Sequence, residues 1–172
     1  MWAIALATLL SFSSRVDAQR IREIDFRNQK VVDILMALAE MGQRSILVDD
    51  TVTGTATFHF SDSDFEESLT RFTGACRLFC AVRENAYYVS RIKAEYDSAK
   101  QTVTIVAEDV EIEKIVRSLS RVVGKTILYD ALPRDQVSIH EQGSSVVGIL
   151  KIVMKKYGEY SVEEEDGCYY IR

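Results

Sequence analysis

Two histidines, three cysteines and one acidic run are the side chains of this 172-residue chain with the types to do chemistry. His59 and His140 invite a metal reading. Thr55, Thr57 and His59 fall on one face of an alternating stretch, with Ala56, Phe58 and Phe60 on the other. Gln136, Ser138 and His140 stand in the same way opposite Val137 and Ile139. Both imidazoles are therefore expected on polar, solvated strand faces. Neither has a cysteine or paired carboxylates at ligand spacing, and no metal or cofactor is expected. Cys76 and Cys80 stand four apart and can bridge only across a tight turn, which makes them a candidate disulfide. The apolar neighbours Leu78, Phe79 and Tyr169 favour semi-buried free thiols instead, at Cys168 as well. A cysteine nucleophile needs a base and an orienting group, and neither histidine stands at a spacing that predicts contact. Glu163-Glu164-Glu165-Asp166 reads as a solvated hairpin turn.

Other chemical signatures are missing. The chain has no GxGxxG or GxxxxGK[ST] loop to cradle phosphate, and no GxSxG elbow. A KH-type nucleic-acid fold shares a related element order but needs a GxxG loop and a basic face. The net charge of −5 is spread evenly, with 11 basic and 13 acidic residues over 19–100. Neither a nucleic-acid partner nor a small-molecule substrate is expected.

The elements that must hold these residues come in two copies. Residues 21–91 moved forward by 81 positions fall on 102–172, with 12 of 71 pairs identical. Ile24 meets Ile105, Ile34 meets Ile115, Leu38 meets Leu119, His59 meets His140 and Tyr88 meets Tyr169. A small module repeated without evident chemistry points to binding rather than catalysis.

Each copy reads alike. Arg22 to Phe26 alternates as a half-buried strand does. Asn28 or Asp109 is a plausible N-cap for a helix carrying Val31, Ile34, Leu35, Leu38 and Met41, or Ile112, Ile115, Val116, Leu119 and Val122. Gly42 and Gly124 read as the helix-ending glycines. Two strands follow, at 45–48 and 54–60 or 126–129 and 136–141. A second helix opens with a capping box at Ser63 and Glu66, and presents Phe65, Leu69 and Phe72, or Val146, Leu150 and Val153. Hairpins turning at Glu84-Asn85 and Asp166-Gly167 close the copies. The expected fold is α+β, two tandem β-α-β-β-α-β-β modules at 19–93 and 102–172 joined by a linker over 94–101.

Trp2 to Phe12 is apolar but too short to span a bilayer, and Val16-Asp17-Ala18 has the small–x–small form of a cleavage site. Residues 1–18 are expected to be a signal peptide cut after Ala18, although the first basic residue is Arg15. The alternatives are an uncleaved membrane anchor and a merely disordered N-terminus.

Ile24 to Ala39, then Gly42 to Asp50 with Val52 and Gly54, then Phe65, Glu67, Leu69, Phe72 and Gly74 carry a family resemblance. The first copy resembles the short N-terminal domain shared by secretins and TonB-dependent outer-membrane transporters. The second is similar only in its apolar skeleton, with Asp135 and Lys155 in place of Gly54 and Gly74. The resemblance implies a periplasmic protein-interaction domain that brings no catalytic residues. The chain stops at Arg172, at its last strand, so no barrel or channel is expected to follow.

In the fourth strand, Phe79 and Ala81 match Tyr160 and Val162 and are expected to face the core. Leu78, Cys80 and Val82 are then an outer apolar face that must be covered by the other repeat or by a partner protein. The reading is a non-enzymatic periplasmic adaptor of an outer-membrane transport, secretion or envelope-spanning complex. Two alternatives stay open: a membrane-anchored regulator signalling to or from a TonB-dependent transporter, and a small envelope enzyme.

Overall fold

The computed structural model describes residues 20–172, so the expected signal peptide and its cleavage after Ala18 lie outside the described residues. The first module runs β1 (Arg20–Ile21), β2 (Ile24–Lys30), α1 (Val31–Gly42), β3 (Ser45–Val48), β4 (Thr55–Phe60), β5 (Ser63–Asp64), α2 (Phe65–Ala75), β6 (Phe79–Arg83) and β7 (Ala86–Ser90). The second follows as β8 (Ile92–Asp97), β9 (Thr102–Glu111), α3 (Ile112–Val123), β10 (Ile127–Tyr129), β11 (Gln136–Ser144), α4 (Val146–Met154), β12 (Val162–Glu165) and β13 (Cys168–Ile171). The fold is α+β, two tandem modules in which β-α-β-β-α-β-β recurs behind an added first strand; the first module alone has the short β5 before α2, and β5 pairs with β1.

Each module has its own core, built where the periodicity places it. α1 buries Val31, Ile34, Leu35 and Leu38, and α3 buries Ile112, Ile115, Val116 and Leu119. The first core contains an aromatic cluster: the Phe58 and Phe60 rings lie 4.6 Å apart and Phe58 meets Phe72 at 5.2 Å. The second is aliphatic, around Ile105, Ile115, Ile149 and Leu150. Each module holds an antiparallel sheet, β2–β4 or β11–β9–β8, and a mixed one in which β3 or β10 runs parallel to the closing strand, β7 or β13.

Several local expectations are corrected. Asn28 and Asp109 are not N-caps. They sit inside β2 and β9 with φ of 49° and 55°, at register shifts of the ladder. Their amides donate to Thr57 Oγ1 (3.0 Å) and Ser138 Oγ (2.9 Å), hydroxyls across the sheet. The helices begin after Lys30 and Glu111, which give no side-chain cap. Main chain does that work: the Val31 amide donates to the Gly54 carbonyl (3.1 Å) and Ile112 to Asp135 (3.2 Å).

Gly42 is not the left-handed helix end; Gln43 is, at φ 48°, matching Gly124 at φ 70°. Gly42 is glycine for space, because a Cβ there would lie 2.2 Å from Phe65 Cδ2. The second-helix cap is Asp64 rather than Ser63. Asp64 accepts from the Glu67 amide at 2.8 Å, as Ser145 does from Gly148 at 3.1 Å. Ser63 is buried, its hydroxyl 2.7 Å from that of Ser68.

The stretch 94–101 is not a linker. Residues 92–97 form β8, which pairs antiparallel with β9 from Ile92↔Ala107 to Asp97↔Thr102, and only the turn lies beyond. Ile92, Ala94 and Tyr96 alternate onto the second core, the period of a half-buried strand.

The gapless repeat also fails, late in the chain. Up to α4 the offset is 81, as Asn28/Asp109 and Thr57/Ser138 show. The closing hairpins pair Arg83↔Ala86 and Glu165↔Cys168, an offset of 82. The second copy carries one more residue between helix and hairpin.

Candidate interaction surface

That single residue decides the faces of β6. A slip of one in a strand exchanges its two sides. The structural counterparts of Tyr160 and Val162 are Leu78 and Cys80, not Phe79 and Ala81. Leu78 is 7 % exposed and belongs to the first core, so it is no interface residue. Cys80 pairs with fully buried Val89 and Val82 with Tyr87, which also packs on that core. Directly opposed residues share a face, so Leu78, Cys80 and Val82 point to the core side and Phe79 and Ala81 away from it.

Cys80 and Val82 are nevertheless exposed, Val82 at 68 %. The cause is position: β6 is the outermost strand in the order β3–β7–β6. Its unpaired edge carries Cys80, Ala81 and Val82 with no charge before Arg83. The equivalent edge strand, β12, carries Glu163, Glu164 and Glu165. These are tied down by Arg172 and Lys125, the latter 3.0 Å from Glu164. Charges on an edge strand discourage further pairing. One module guards its edge and the other leaves it open.

The histidines stay apart, in different sheets. His59 Nδ1 is 2.9 Å from Asp25 Oδ1, its direct cross-strand partner, and His140 Nε2 is 3.2 Å from Gln142 Nε2. Among the described residues no group of three or more His, Cys, Asp or Glu is placed to hold a metal ion.

The three cysteines are free thiols, so the candidate Cys76–Cys80 disulfide is not formed. Cys76 ends α2, packing partly on the first core, whereas Cys80 stands on the open edge. Partial burial pushes both thiols up; Arg91 opposes this at Cys76, and Glu66 adds to it at Cys80. Neither has the depressed pKa of an activated nucleophile.

A cleft of about 830 Å³ lies between the modules, and no motif in the sequence announces it. One wall is the outer face of β6 and β7, with Phe79, Ala81 and Tyr88. The other is α3, with Lys114, Arg117, Arg121 and Val122; β8 borders it through Ile92 to Glu95. Its only signal in the sequence is the spacing of Lys114, Arg117 and Arg121, which share one polar helix face.

Asp49 and Asp50 close one end. Burial pushes the Asp49 carboxyl up, but hydrogen bonds from the Thr51 amide and hydroxyl and from Tyr88 outweigh it, and the net shift is downward. Lys114 Nζ donates to the Asp50 carbonyl at 2.7 Å, and Arg117 meets the Asp50 carboxylate at 3.4 Å. With the Glu108 amide on the Arg91 carbonyl (3.1 Å), these contacts set one module against the other.

No helix among the described residues is long and apolar enough to cross a membrane. No protein-family model matches the chain, and no curated protein does. Its structural neighbours include N-terminal domains of secretins. The N0 domain of the type II secretin from enterotoxigenic Escherichia coli is 10 % identical at a TM-score of 0.38, over 42 % of this chain and 96 % of that one. The N-terminal domain of the secretin XcpQ from Pseudomonas aeruginosa is 12 % identical at 0.34, over 84 % of this chain and 70 % of that one. Its S210C dimer mutant gives 12 % and 0.36, over 83 % and 70 %. Likenesses at this level assign the chain to no family.

Proposed function

We propose that this protein is a non-catalytic, protein-binding component of the bacterial envelope, exported to the periplasm after loss of residues 1–18. It serves an outer-membrane transport, secretion or envelope-spanning complex as an adaptor. The observation that carries the reading is the open edge of β6. There Val82 is 68 % exposed on a strand whose counterpart is blocked by three glutamates. An unguarded edge with apolar side chains is a template for a strand from another protein. The apolar N-terminal stretch and the first-copy residue pattern support the envelope setting.

The test is co-purification from the envelope fraction with wild type and Val82→Lys, with thermal melting as control. The expected result is a specific partner whose recovery drops about tenfold in the variant at unchanged stability. No specific partner for wild type, or full recovery with Val82→Lys, overturns it.

A further inference from the structure

The cleft between the modules is charged against the sign of the whole protein. Arg83, Lys93, Lys114, Arg117 and Arg121 line it, facing Asp49, Asp50 and Glu95, for a net of +2 on a chain of net −5. Much of this charge is already used. Lys93 pairs with Glu95 (3.4 Å), Arg117 pairs with Asp50, and Lys114 is bound to the Asp50 carbonyl. Arg83 and Arg121 are both exposed and have no carboxylate within 4.0 Å among the described residues. Arg83 instead stands 5.1 Å over the Tyr88 ring.

The cleft is also extended and half apolar. Phe79, Tyr88 and Val122 are half-buried on its walls. It runs between β6 and β8, each the outermost strand of its sheet. The open edge of β6, apolar walls and two unpaired guanidiniums together favour an extended acidic polypeptide over a compact anion. A nucleic acid would need phosphate contacts along a continuous basic track, and the three carboxylates at this site interrupt one.

We propose that this cleft binds an extended acidic segment of a partner protein, its carboxylates at Arg83 and Arg121 and its apolar side chains on Phe79, Tyr88 and Val122. The proposal rests on the protein-binding reading above and adds the chemistry of the bound segment. Electrostatic complementarity of this kind gives the interaction its selectivity and its salt dependence.

The test is selection of a random dodecapeptide library on the full chain, followed by titration of the enriched peptides against wild type and the double variant Arg83→Glu/Arg121→Glu. Both side chains are exposed, and circular dichroism checks that the variant folds. The expected result is enrichment of net-acidic peptides that bind less tightly as salt is raised and lose about tenfold or more in affinity in the variant. Neutral or basic winners, winners indifferent to the variant, no winners, or preferential binding of a control oligonucleotide each overturn the assignment. If the assignment fails while Val82→Lys still abolishes partner recovery, the protein-binding function stands without this cleft. If Val82→Lys also has no effect, both fall.

Discussion

Glu84 and Asp166 hold the same left-handed corner of their closing hairpins, with φ of 55° and 51°, yet stand 82 residues apart. Asn28 and Asp109, the matched bulge residues, stand 81 apart. The extra residue after α4 turns the apparent outer face of β6 into its core face, so Leu78→Ala should cost about 2–5 kcal/mol. Phe79→Ala should cost clearly less, by chemical denaturation of the two variants. The reverse ranking would restore the gapless register.

Gly42 should resist the change that usually helps a helix. Glycine to alanine in a helix interior ordinarily gains about 0.5–1 kcal/mol. Here the new methyl meets the Phe65 ring, and overpacking of this kind costs about 1–3 kcal/mol. Gly42→Ala should lower the denaturation midpoint, and Phe65→Leu in the same chain should recover part of the loss. A stabilised Gly42→Ala would contradict the packing account.

Asp135 should make stability depend on acid. The Lys156 ammonium donates to its carboxylate at 2.6 Å and the Tyr157 hydroxyl donates beside it, which holds the carboxyl below its usual range. A depressed carboxylate stabilises the fold above its unfolded pKa, and that contribution is lost as pH falls through the folded one. Wild type should therefore melt above Asp135→Asn at neutral pH, with the gap closing only below the ordinary carboxylate range. A constant gap at every pH would show that the charge is not involved.

The thiols should all be alkylated by N-ethylmaleimide without reductant once the chain is unfolded. In the native protein Cys80 should label before Cys76, and slower than a free cysteine at neutral pH. Its rate should climb as pH passes the usual thiol range, since partial burial and Glu66 both oppose the thiolate. Peptide mass mapping reads the order. A Cys76–Cys80 pair that labels only after reduction would show a bridge.

Much of this fold is legible in the amino-acid sequence. The stripes at Val31/Ile34/Leu38 and Ile112/Ile115/Leu119 specify their helices because 3.6-residue spacing leaves one buried face, and the alternation around His59 and His140 specifies their strands. The caps are misplaced at Asn28 and Asp109 because these residue types favour N-caps and left-handed bulges alike. β8 is hidden because Lys93 to Asp97 alternates charge with small or aromatic side chains, and its pairing partner lies across a turn. The sequence points to the open edge at the right strand but on the wrong side, since identity of Tyr88 with Tyr169 masks a slip that only the ladder reveals. The cleft needs both modules in place, which no local pattern carries.

The most direct test of the account is a photoreactive benzoylphenylalanine placed at Val82, with the same residue at His59 as control, in cells expressing the full chain. An envelope protein captured at 82 and absent at 59 is the predicted result. Capture of nothing at 82, or equal capture at both positions, would contradict the claim that β6 is a docking edge.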